Sequence, residues 1–303
     1  MSDLRVGVVN IATPTPLKPD GGFDAASARR LCKRWVAQGI DGVLLIGTMG
    51  EGPYLTDETR NAFVELALQE AGDRVTVFVS AADTSRARMQ ERALRYAGMG
   101  AHCVVLCLPG FNAPPAKAVA DVKAVADACP APCAYYETPE NTGTALVLNE
   151  LLDILSHRNI KVCKDSSGNA LVSQGITAPD FKPLGARLLD GVEYRTPVSR
   201  LIKYDGVLHG GGALTGRWVR QIWDKAGEGR LADALAMDRA KAMFLARVYN
   251  RFSRPVQNIM GQKYALKLLG VFDHDAVAVN QTLDDAARTR IREAVAEYRN
   301  FIE

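Results

Sequence analysis

Asn159-Ile160-Lys161-Val162-Cys163-Lys164 is a short, mostly apolar segment that ends in a lysine, and Asp165-Ser166-Ser167-Gly168 follows it directly. The run from Ile160 to Cys163 is typical of a buried strand, and the polar residues after it are typical of a loop. Burying a charged amine is costly, so burial favours the neutral form. A neutral lysine amine attacks carbonyl carbon and forms Schiff bases. Lys164 is therefore either such a nucleophile or a solvated lysine where the strand meets the loop.

Two further segments place polar residues at the ends of predicted strands. Gly47-Thr48-Met49-Gly50-Glu51 follows the apolar run 42–46. A strand that runs into a glycine-rich turn exposes backbone N–H groups that can bind a carboxylate. Ala134-Tyr135-Tyr136-Glu137-Thr138-Pro139 places a tyrosine at another strand end. Neither segment is decisive alone, because most glycine pairs only shape turns.

Taken in order, the three segments resemble the motifs of the N-acetylneuraminate lyase / dihydrodipicolinate synthase family, the pyruvate-type class I aldolases. That family's pattern is a Gly-Thr/Ser-Thr-Gly-Glu loop, a Tyr-Asn-x-Pro strand end and a Lys-Asp/Glu-x-x-Gly strand end. The resemblance covers almost the whole chain. The opening segment 12–24 is similar to the family's first strand and turn, and residues 263–270 are similar to its carboxy-terminal helix.

Short apolar runs alternate with amphipathic stretches along the first two thirds of the chain. Eight runs are predicted as strands: 6–11, 43–46, 75–80, 103–108, 133–136, 160–164, 187–189 and 206–208. Helical patterns lie between them, for example at 24–38 and 115–128. This alternation favours a parallel sheet, and eight repeats predict an α/β fold, the (β/α)8 TIM barrel.

The strand pattern stops after about Gly212. Four helices are predicted beyond it, at 218–226, 230–250, 257–269 and 282–301. We therefore expect a barrel that carries the catalytic site over residues 1–212 and a C-terminal helical extension, packed on the barrel, over residues 213–303.

Composition and charge exclude several classes of protein. The chain has 303 residues, enough for a barrel of about 250 residues and an extension. Its net charge of +3, without a clustered basic stretch, argues against nucleic-acid binding. No apolar run approaches the roughly 20 residues of a membrane span, and residues 1–5 lack the pattern of a signal peptide. A cytoplasmic location is expected.

Cysteines and histidines give no sign of a metal or a disulfide framework. None of the six cysteines form a Cys-x-x-Cys motif, and disulfides are improbable in a chain of cytosolic type. The four histidines are scattered without metal-ligand spacing. We expect no metal and no organic cofactor.

The resemblance implies a role for each residue at the strand ends, where such barrels place their active sites. Lys164 would attack the C2 ketone of a 2-oxo acid and become a protonated imine. Tyr136 would move protons between the imine, C3 and the C4 hydroxyl. The substrate carboxylate would rest on the backbone N–H groups of Thr48 and Met49, with the Thr48 hydroxyl as a further donor. Glu51 is interpreted as structural.

Four residues depart from the family pattern. Met49 stands where a second hydroxyl residue is common. Phe111 aligns with a tyrosine that completes a proton relay across subunits in the synthase branch, and a phenyl ring cannot carry protons. Asn141 aligns with the arginine that holds a second carboxylate in that branch, but it has no charge. Glu137 replaces the usual asparagine, and we expect it to put a negative charge at the pocket edge.

Residues after the last two strands are expected to contact the distal part of the substrate. Gly191 and Glu193 lie where lyases of the family contact distal hydroxyl groups. Gly210 follows the eighth strand, in a region that lines the outer pocket of the family. His209 is either a residue that acts on the C4 hydroxyl or a turn histidine without ligand contact. With Asn141 and Met49, these residues make up the predicted substrate-binding set.

The departures disfavour dihydrodipicolinate synthase activity and favour the branches that act on hydroxylated 2-oxo acids. We predict a Schiff-base lyase or aldolase for a 2-keto-3-deoxy sugar acid or 4-hydroxy-2-oxoglutarate that releases pyruvate or a related 2-oxo acid. Three alternatives stay open: a dehydratase that uses the same enamine, dihydrodipicolinate synthase, and a non-catalytic 2-oxo-acid-binding protein. The resemblance implies a homotetramer, a dimer of dimers, and no nucleic-acid or membrane partner is expected.

Overall fold

The eight predicted strands are present and form one closed parallel barrel. A computed structural model describes residues 4–107, 114–180, 185–249, 255–279 and 281–303. Each strand pairs with its neighbours along the chain, and β1 closes the ring against β8. The strands are β1 Val9–Ala12, β2 Gly42–Leu45, β3 Thr76–Ser80, β4 Cys103–Cys107, β5 Cys133–Glu137, β6 Ile160–Asp165, β7 Arg187–Asp190 and β8 Gly206–His209. The predicted TIM barrel is confirmed.

Alternation along each strand separates two apolar layers. Residues such as Leu44, Phe78 and Val162 form a cluster inside the barrel. Their neighbours in sequence, such as Val43 and Val77, pack outwards in the large cluster that includes the helices. Both faces of every strand are therefore buried, which explains why the strands are continuous apolar runs in the sequence.

The helices predicted at 24–38, 115–128, 230–250 and 257–269 agree with the structure to within two residues. The helix predicted at 218–226 begins earlier, at Gly212, and the one predicted at 282–301 is divided into two. The helices are α1 Ala25–Ala37, α2 Asp57–Ala71, α3 Arg86–Gly98, α4 Pro115–Ala128, α5 Pro139–Thr142, α6 Leu148–Leu155, α7 Ala170–Thr177, α8 Thr196–Leu201, α9 Gly212–Gly227, α10 Leu231–Val248, α11 Pro255–Leu268, α12 Asp285–Glu297 and α13 Arg299–Ile302, with a 3-10 turn at Gly52–Tyr54. Asp24 begins α1 by accepting the backbone N–H of Ser27 at 3.1 Å, the usual N-cap bond. The buried face of α1 carries Leu31 and Trp35, as the sequence predicts.

Helix α9 connects the barrel to the C-terminal helices. It follows β8 and packs against β1 on one side and against α10 on the other. The division near residue 212 stays a prediction. The C-terminus returns to α9, where the ring of Phe301 stacks on Trp218 with centroids 4.5 Å apart. Within the described ranges, no helix combines the length and apolar character needed to cross a bilayer.

Candidate active site

Lys164 and Tyr136 lie side by side inside the barrel. They are register partners on the adjacent strands β6 and β5, and the Lys164 Nζ atom lies 4.0 Å above the centre of the Tyr136 ring. Lys164 is 6% exposed and Tyr136 9% exposed. Both strands end here, so the barrel delivers a buried amine and a buried phenol to the same point at its carboxyl-terminal mouth.

The surroundings of Tyr136 stabilise its phenolate. Burial alone would raise the pKa of Tyr136, but the charge of Lys164 and the nearby hydroxyl groups of Thr138 and Ser166 outweigh burial, and the pKa is lower than that of a free tyrosine. A phenol with a lowered pKa is a better general base near neutral pH. Sequence reasoning missed Thr138 and Ser166. Each follows Tyr136 or Lys164 by two residues, and the period of two that brings side chains to one face of a strand was the available signal.

Buried carboxylates hold the ends of the neighbouring strands from outside the barrel. Asp165, which follows the lysine, accepts hydrogen bonds from the Tyr204 hydroxyl at 2.5 Å and the backbone N–H of Ser167 at 2.8 Å. Asp190, at the end of β7, pairs with the Arg195 guanidinium at 2.7 Å. These contacts fix the strand ends, and Arg195 is thus tied to a structural carboxylate.

The loop after β2 offers two unpaired donors. Within the described residues, the backbone N–H groups of Thr48 and Met49 donate no hydrogen bond. The loop itself is pinned below them, because the carboxylate of Glu51 forms a buried ion pair with Lys263 and accepts the backbone N–H of Ala278 at 2.6 Å. Free amide groups on a fixed loop form a suitable site for a carboxylate.

Asn141 joins this loop to β5. Its Nδ2 atom donates to the Thr48 hydroxyl at 3.0 Å and to the Thr138 hydroxyl at 2.9 Å. Both amide hydrogens are thereby used, so Asn141 has no N–H left to offer a ligand. The structure places Asn141 at the mouth, as expected, but as a bridge between two hydroxyl groups.

Met49, Gly210 and Glu193 meet at the other side of the mouth. A methyl group built on Gly210 would lie 3.2 Å from the Met49 Cγ atom and 3.4 Å from a carboxylate oxygen of Glu193. The Glu193 carboxylate accepts the backbone N–H of Gly211 at 2.6 Å. Burial raises the pKa of Glu193, against the opposing effects of this N–H group and of Lys241. The Lys241 ammonium also donates to the Glu193 carbonyl at 2.7 Å and so holds the segment.

Gly191 leaves room for the Ser166 side chain at the end of β6. A methyl group at Gly191 would lie 2.0 Å from the Ser166 Oγ atom, a contact that no structure tolerates without movement. We predict that Gly191→Ala lowers the free energy of unfolding by about 1–3 kcal/mol, as overpacking does. Urea denaturation would measure it. Gly98→Ala is the matched control, since nothing lies within 4 Å of that position, and a loss as large in the control would contradict the prediction.

His209 and Glu137 do not lie where the sequence suggested. Each alternates with a residue of the inner cluster, Leu208 and Tyr136, and so lies on the helix-facing side of the barrel wall. Glu137 accepts the Tyr135 hydroxyl at 2.6 Å, and burial raises its pKa to about 7. It therefore does not charge the pocket edge, and the expectation that it would is corrected.

His209 is fully enclosed in that wall. It is 1% exposed, and neither ring nitrogen has a hydrogen-bond partner among the described residues. Burial, followed by the charges of Lys241 and Lys164, lowers its pKa well below the usual value, so the ring is neutral. No described contact joins it to Tyr136 or Thr48. We therefore leave His209 out of the group proposed to act on substrate.

Some expectations concern other parts of the chain. Phe111 lies outside the described residues.

In the described part, no group of three or more histidine, cysteine, aspartate or glutamate side chains is arranged to hold a metal ion. A cleft of about 730 Å³ opens at the opposite end of the barrel, beside Val75 and Pro132, and does not include Lys164. The candidate active site is therefore identified from Lys164, Tyr136 and their neighbours, and not from this cleft.

Comparison with known proteins fits this geometry. A model of the dihydrodipicolinate synthetase family matches residues 6–297. The chain belongs to this family. The protein is 30% identical over 304 residues to the 4-hydroxy-tetrahydrodipicolinate synthase of Acidothermus cellulolyticus, covering 98% of this chain and 94% of that one. The predicted family is confirmed.

Solved structures show the same fold. Dihydrodipicolinate synthase from Aquifex aeolicus superposes with a TM-score of 0.88 at 21% identity, covering 98% of this chain and 100% of that chain. The sialic acid aldolase of Ruminococcus gnavus gives 0.88 at 19% identity, covering 98% and 99%. At these identities the likeness concerns the fold. Members of the dihydrodipicolinate synthetase family are Schiff-base lyases of the class I type, and this member is a lyase of that class.

Proposed function

We propose that this member of the family is an aldolase for a hydroxylated 2-oxo acid with one carboxylate at the reacting end, such as a 2-keto-3-deoxy sugar acid or 4-hydroxy-2-oxoglutarate. The observation that carries the proposal is the pairing of Lys164 with Tyr136 inside the barrel. The Lys164 Nζ atom lies 4.0 Å from the centre of the Tyr136 ring, and both side chains are nearly excluded from solvent. A buried amine next to a proton carrier is what imine chemistry requires.

The carboxylate of the substrate would bind the loop after β2. The backbone N–H groups of Thr48 and Met49 are available as donors. The Thr48 hydroxyl accepts a hydrogen bond from Asn141 and can give its own hydrogen to the ligand. With the carboxylate fixed there, the adjacent C2 ketone would face Lys164.

The reaction then follows from the two buried groups. The Lys164 amine adds to the C2 ketone and expels water, which leaves a protonated imine. Tyr136 takes the proton of the C4 hydroxyl while the C3–C4 bond breaks, and that electron pair moves towards the imine nitrogen. An aldehyde leaves and an enamine remains. Tyr136 returns the proton to C3, and water releases pyruvate and the free lysine.

The site also supports a dehydratase through the same enamine. In that case Tyr136 would help remove the C3 proton and then protonate the departing C4 hydroxyl as water. Cleavage breaks the C3–C4 bond, whereas dehydration breaks the C3–H and C4–O bonds. We place aldol cleavage first, as the sequence prediction does, and product analysis with 2-keto-3-deoxy acids distinguishes the two.

Dihydrodipicolinate synthase is a second candidate, favoured by the name of the relative from Acidothermus cellulolyticus. Against it stands Asn141, which replaces the expected arginine and spends both amide hydrogens on threonine hydroxyls. The cations Arg195 and Lys241 are paired with Asp190 and Asp238. Condensation of pyruvate with aspartate semialdehyde is the assay that would establish this alternative.

Trapping of the imine tests the proposal directly. We expect borohydride treatment with pyruvate to add one reduced pyruvyl group to the intact protein, and Lys164→Ala to abolish the adduct. Lys161→Ala is the matched control, since Lys161 lies on the same strand but is exposed, and it should label like the wild type. Wild type without an adduct would contradict the proposal and favour a non-catalytic binding protein. Labelling that persists in Lys164→Ala would show that the nucleophile is another lysine.

We also propose a cytoplasmic homotetramer, as in the family resemblance. Exposed apolar residues on two neighbouring barrel helices are consistent with contact between copies: Leu171 on α7, and Val198 and Leu201 on α8. Analytical ultracentrifugation would give the assembly state.

A further inference from the structure

We propose that Ser173 and Arg195 are positioning residues that hold the end of β6 in place and so direct Lys164 towards the substrate ketone. They act through Asp165, which follows Lys164 directly in the chain. The inference rests on the proposed function, in which the Lys164 amine attacks that ketone. It assigns no contact with substrate to Ser173 or to Arg195.

Asp165 and Asp190 are two buried carboxylates that lie side by side behind the active site. They are register partners on β6 and β7, and neither has any exposed surface. Neighbouring strands are about 4.8 Å apart, so two negative charges at this position repel each other strongly where water is excluded. Buried donors must therefore compensate both charges if the two strand ends are to stay together.

The Arg195 guanidinium serves both carboxylates. Its Nε and Nη2 atoms donate to Asp190 at 2.7 and 3.1 Å, and Nη2 also donates to the Ser173 hydroxyl at 2.9 Å. The Ser173 hydroxyl in turn donates to Asp165 at 3.1 Å. Burial alone would lower the pKa of Arg195, but the hydrogen bond and charge of Asp190, with a smaller effect of Asp165, outweigh burial and raise it. Arg195 therefore stays charged.

The direction of these hydrogen bonds follows from the chemistry of the two ends. A guanidinium has no acceptor atom, and a carboxylate has no hydrogen to donate. Ser173 must therefore accept from Arg195 and give its single hydrogen to Asp165. Ser173 is 1% exposed, so bulk water does not compete for that hydrogen. One serine hydroxyl thus connects the guanidinium to the carboxylate next to Lys164.

Asp165 passes this restraint on to the backbone beside Lys164. Its carboxylate also accepts the backbone N–H of Ser167 at 2.8 Å, and its carbonyl accepts the backbone N–H of Gly191 at 2.7 Å. Both polar groups of the residue that follows Lys164 are therefore held. The position of the Lys164 Nζ atom, 4.0 Å from the centre of the Tyr136 ring, depends on where this strand ends. A displacement of about 1 Å at a reacting group can slow a reaction about 100-fold.

Ser199 provides a matched control for Ser173. It is just as buried, and its hydroxyl donates to the other carboxylate, Asp190, at 2.7 Å. Each carboxylate keeps at least one other donor when its serine is replaced. Ser173→Ala and Ser199→Ala should therefore lower stability by similar amounts, but only Ser173→Ala breaks the connection to Asp165.

The first test measures the rate of imine formation with pyruvate, by borohydride quenching at successive times and intact mass. We expect Ser173→Ala to form the imine about 10-fold more slowly than wild type, and Ser199→Ala to stay within about 3-fold of wild type. Urea denaturation of the same proteins compares their stability. Equal slowing in the two alanine variants, or a wild-type rate in Ser173→Ala, would overturn the inference.

Arg195→Lys tests the other end of the connection. A lysine ammonium keeps the charge but lacks the planar fork that reaches Asp190 and Ser173 together. We expect this variant to slow imine formation as Ser173→Ala does. The double variant should be no slower than either single variant, since both changes break the same connection. Slowing that multiplies in the double variant would show that the two residues act independently and would contradict the proposal.

The position of Lys164 can also be followed without substrate. Burial raises the pKa of Tyr136 and the charge of Lys164 lowers it, so displacement of the amine should raise this pKa. Ultraviolet titration of a protein minus its Tyr136→Phe variant isolates the ionisation. We expect it at higher pH in the Ser173→Ala background and unchanged in the Ser199→Ala background.

This titration separates the inference from the proposed function. A wild type that traps no imine, with the expected shift of the Tyr136 ionisation in the Ser173→Ala background, would refute the aldolase proposal and support the positioning of Lys164 by Ser173. Trapping in wild type with an unchanged titration in the Ser173→Ala background would refute the role of Ser173 alone.

Discussion

Tyr136→Phe is expected to slow both C–C cleavage and C3 hydrogen exchange by about 10²- to 10⁴-fold, the usual contribution of a general acid–base group. The substitution removes the phenol hydroxyl, whose ionisation the charge of Lys164 favours. It keeps the aromatic ring below the Lys164 Nζ atom, and it does not change Lys164 itself. Imine formation with pyruvate should therefore persist, so the loss falls on the proton-transfer steps. Steady-state kinetics beside borohydride trapping measures the two separately.

Tyr135→Phe is the matched control, because the next residue back on the same strand faces the other way. Its hydroxyl donates to Glu137 at 2.6 Å on the helix-facing side. We expect this variant to keep the wild-type rate within a few-fold and to lose about 1–3 kcal/mol of stability, as a buried acceptor loses its donor. If the two phenylalanine variants slowed turnover equally, Tyr136 would not be the proton carrier.

Lys263→Met is expected to lower the free energy of unfolding by about 3–5 kcal/mol, since it leaves a buried carboxylate without its counter-charge. Lys263 is fully buried and pairs with Glu51, which is itself 2% exposed. The Lys263 ammonium also donates to the Ala276 carbonyl at 2.7 Å, so a second buried group loses its partner. Chemical denaturation monitored by circular dichroism gives the size of the loss.

Lys267→Met on the same helix is the control for Lys263→Met. Lys267 pairs with Asp275 at 3.0 Å, but its side chain is 40% exposed, and such pairs contribute about 0–1 kcal/mol. The double variant Lys263→Met/Glu51→Gln has no unmatched charge and should regain part of the stability. Similar losses in the two single lysine variants would show that the Glu51–Lys263 pair is not the cause.

The fold was predictable from the sequence because each strand is buried on both faces. Continuous apolar runs marked all eight strands, and the amphipathic stretches between them marked the helices. The ends of the strands and helices were harder to predict than their existence. The first run was predicted at 6–11, whereas β1 is Val9–Ala12, since apolar residues at the open end of the barrel precede the first paired residue. The predicted boundary at 212 rests on the last strand, and helix α9 beyond it packs on β1.

Site residues that belong to linear motifs were predictable from the sequence. The face of the strand to which a side chain points was not. Lys164 and Tyr136 come directly from the strand ends and from the family resemblance. Glu137 and His209 were assigned to the pocket because they adjoin it in sequence, but alternation turns both to the helix-facing side. The same alternation brings Thr138 inwards. The pairing of Glu51 with Lys263 joins distant segments, and no local pattern reveals it.

The ion pair between Glu51 and Lys263 limits how this enzyme can be shortened or recombined. The anion belongs to the loop that offers N–H groups near the catalytic pair, and the cation belongs to α11 of the extension. A truncation after the eighth strand–helix repeat would remove Lys263, and the Glu51 carboxylate that anchors this loop would be left without its counter-charge. A chimera that takes its C-terminal segment from a relative should keep the loop in place only if the new segment provides a buried cation at the position of Lys263. The extension is therefore an inseparable part of the active-site scaffold.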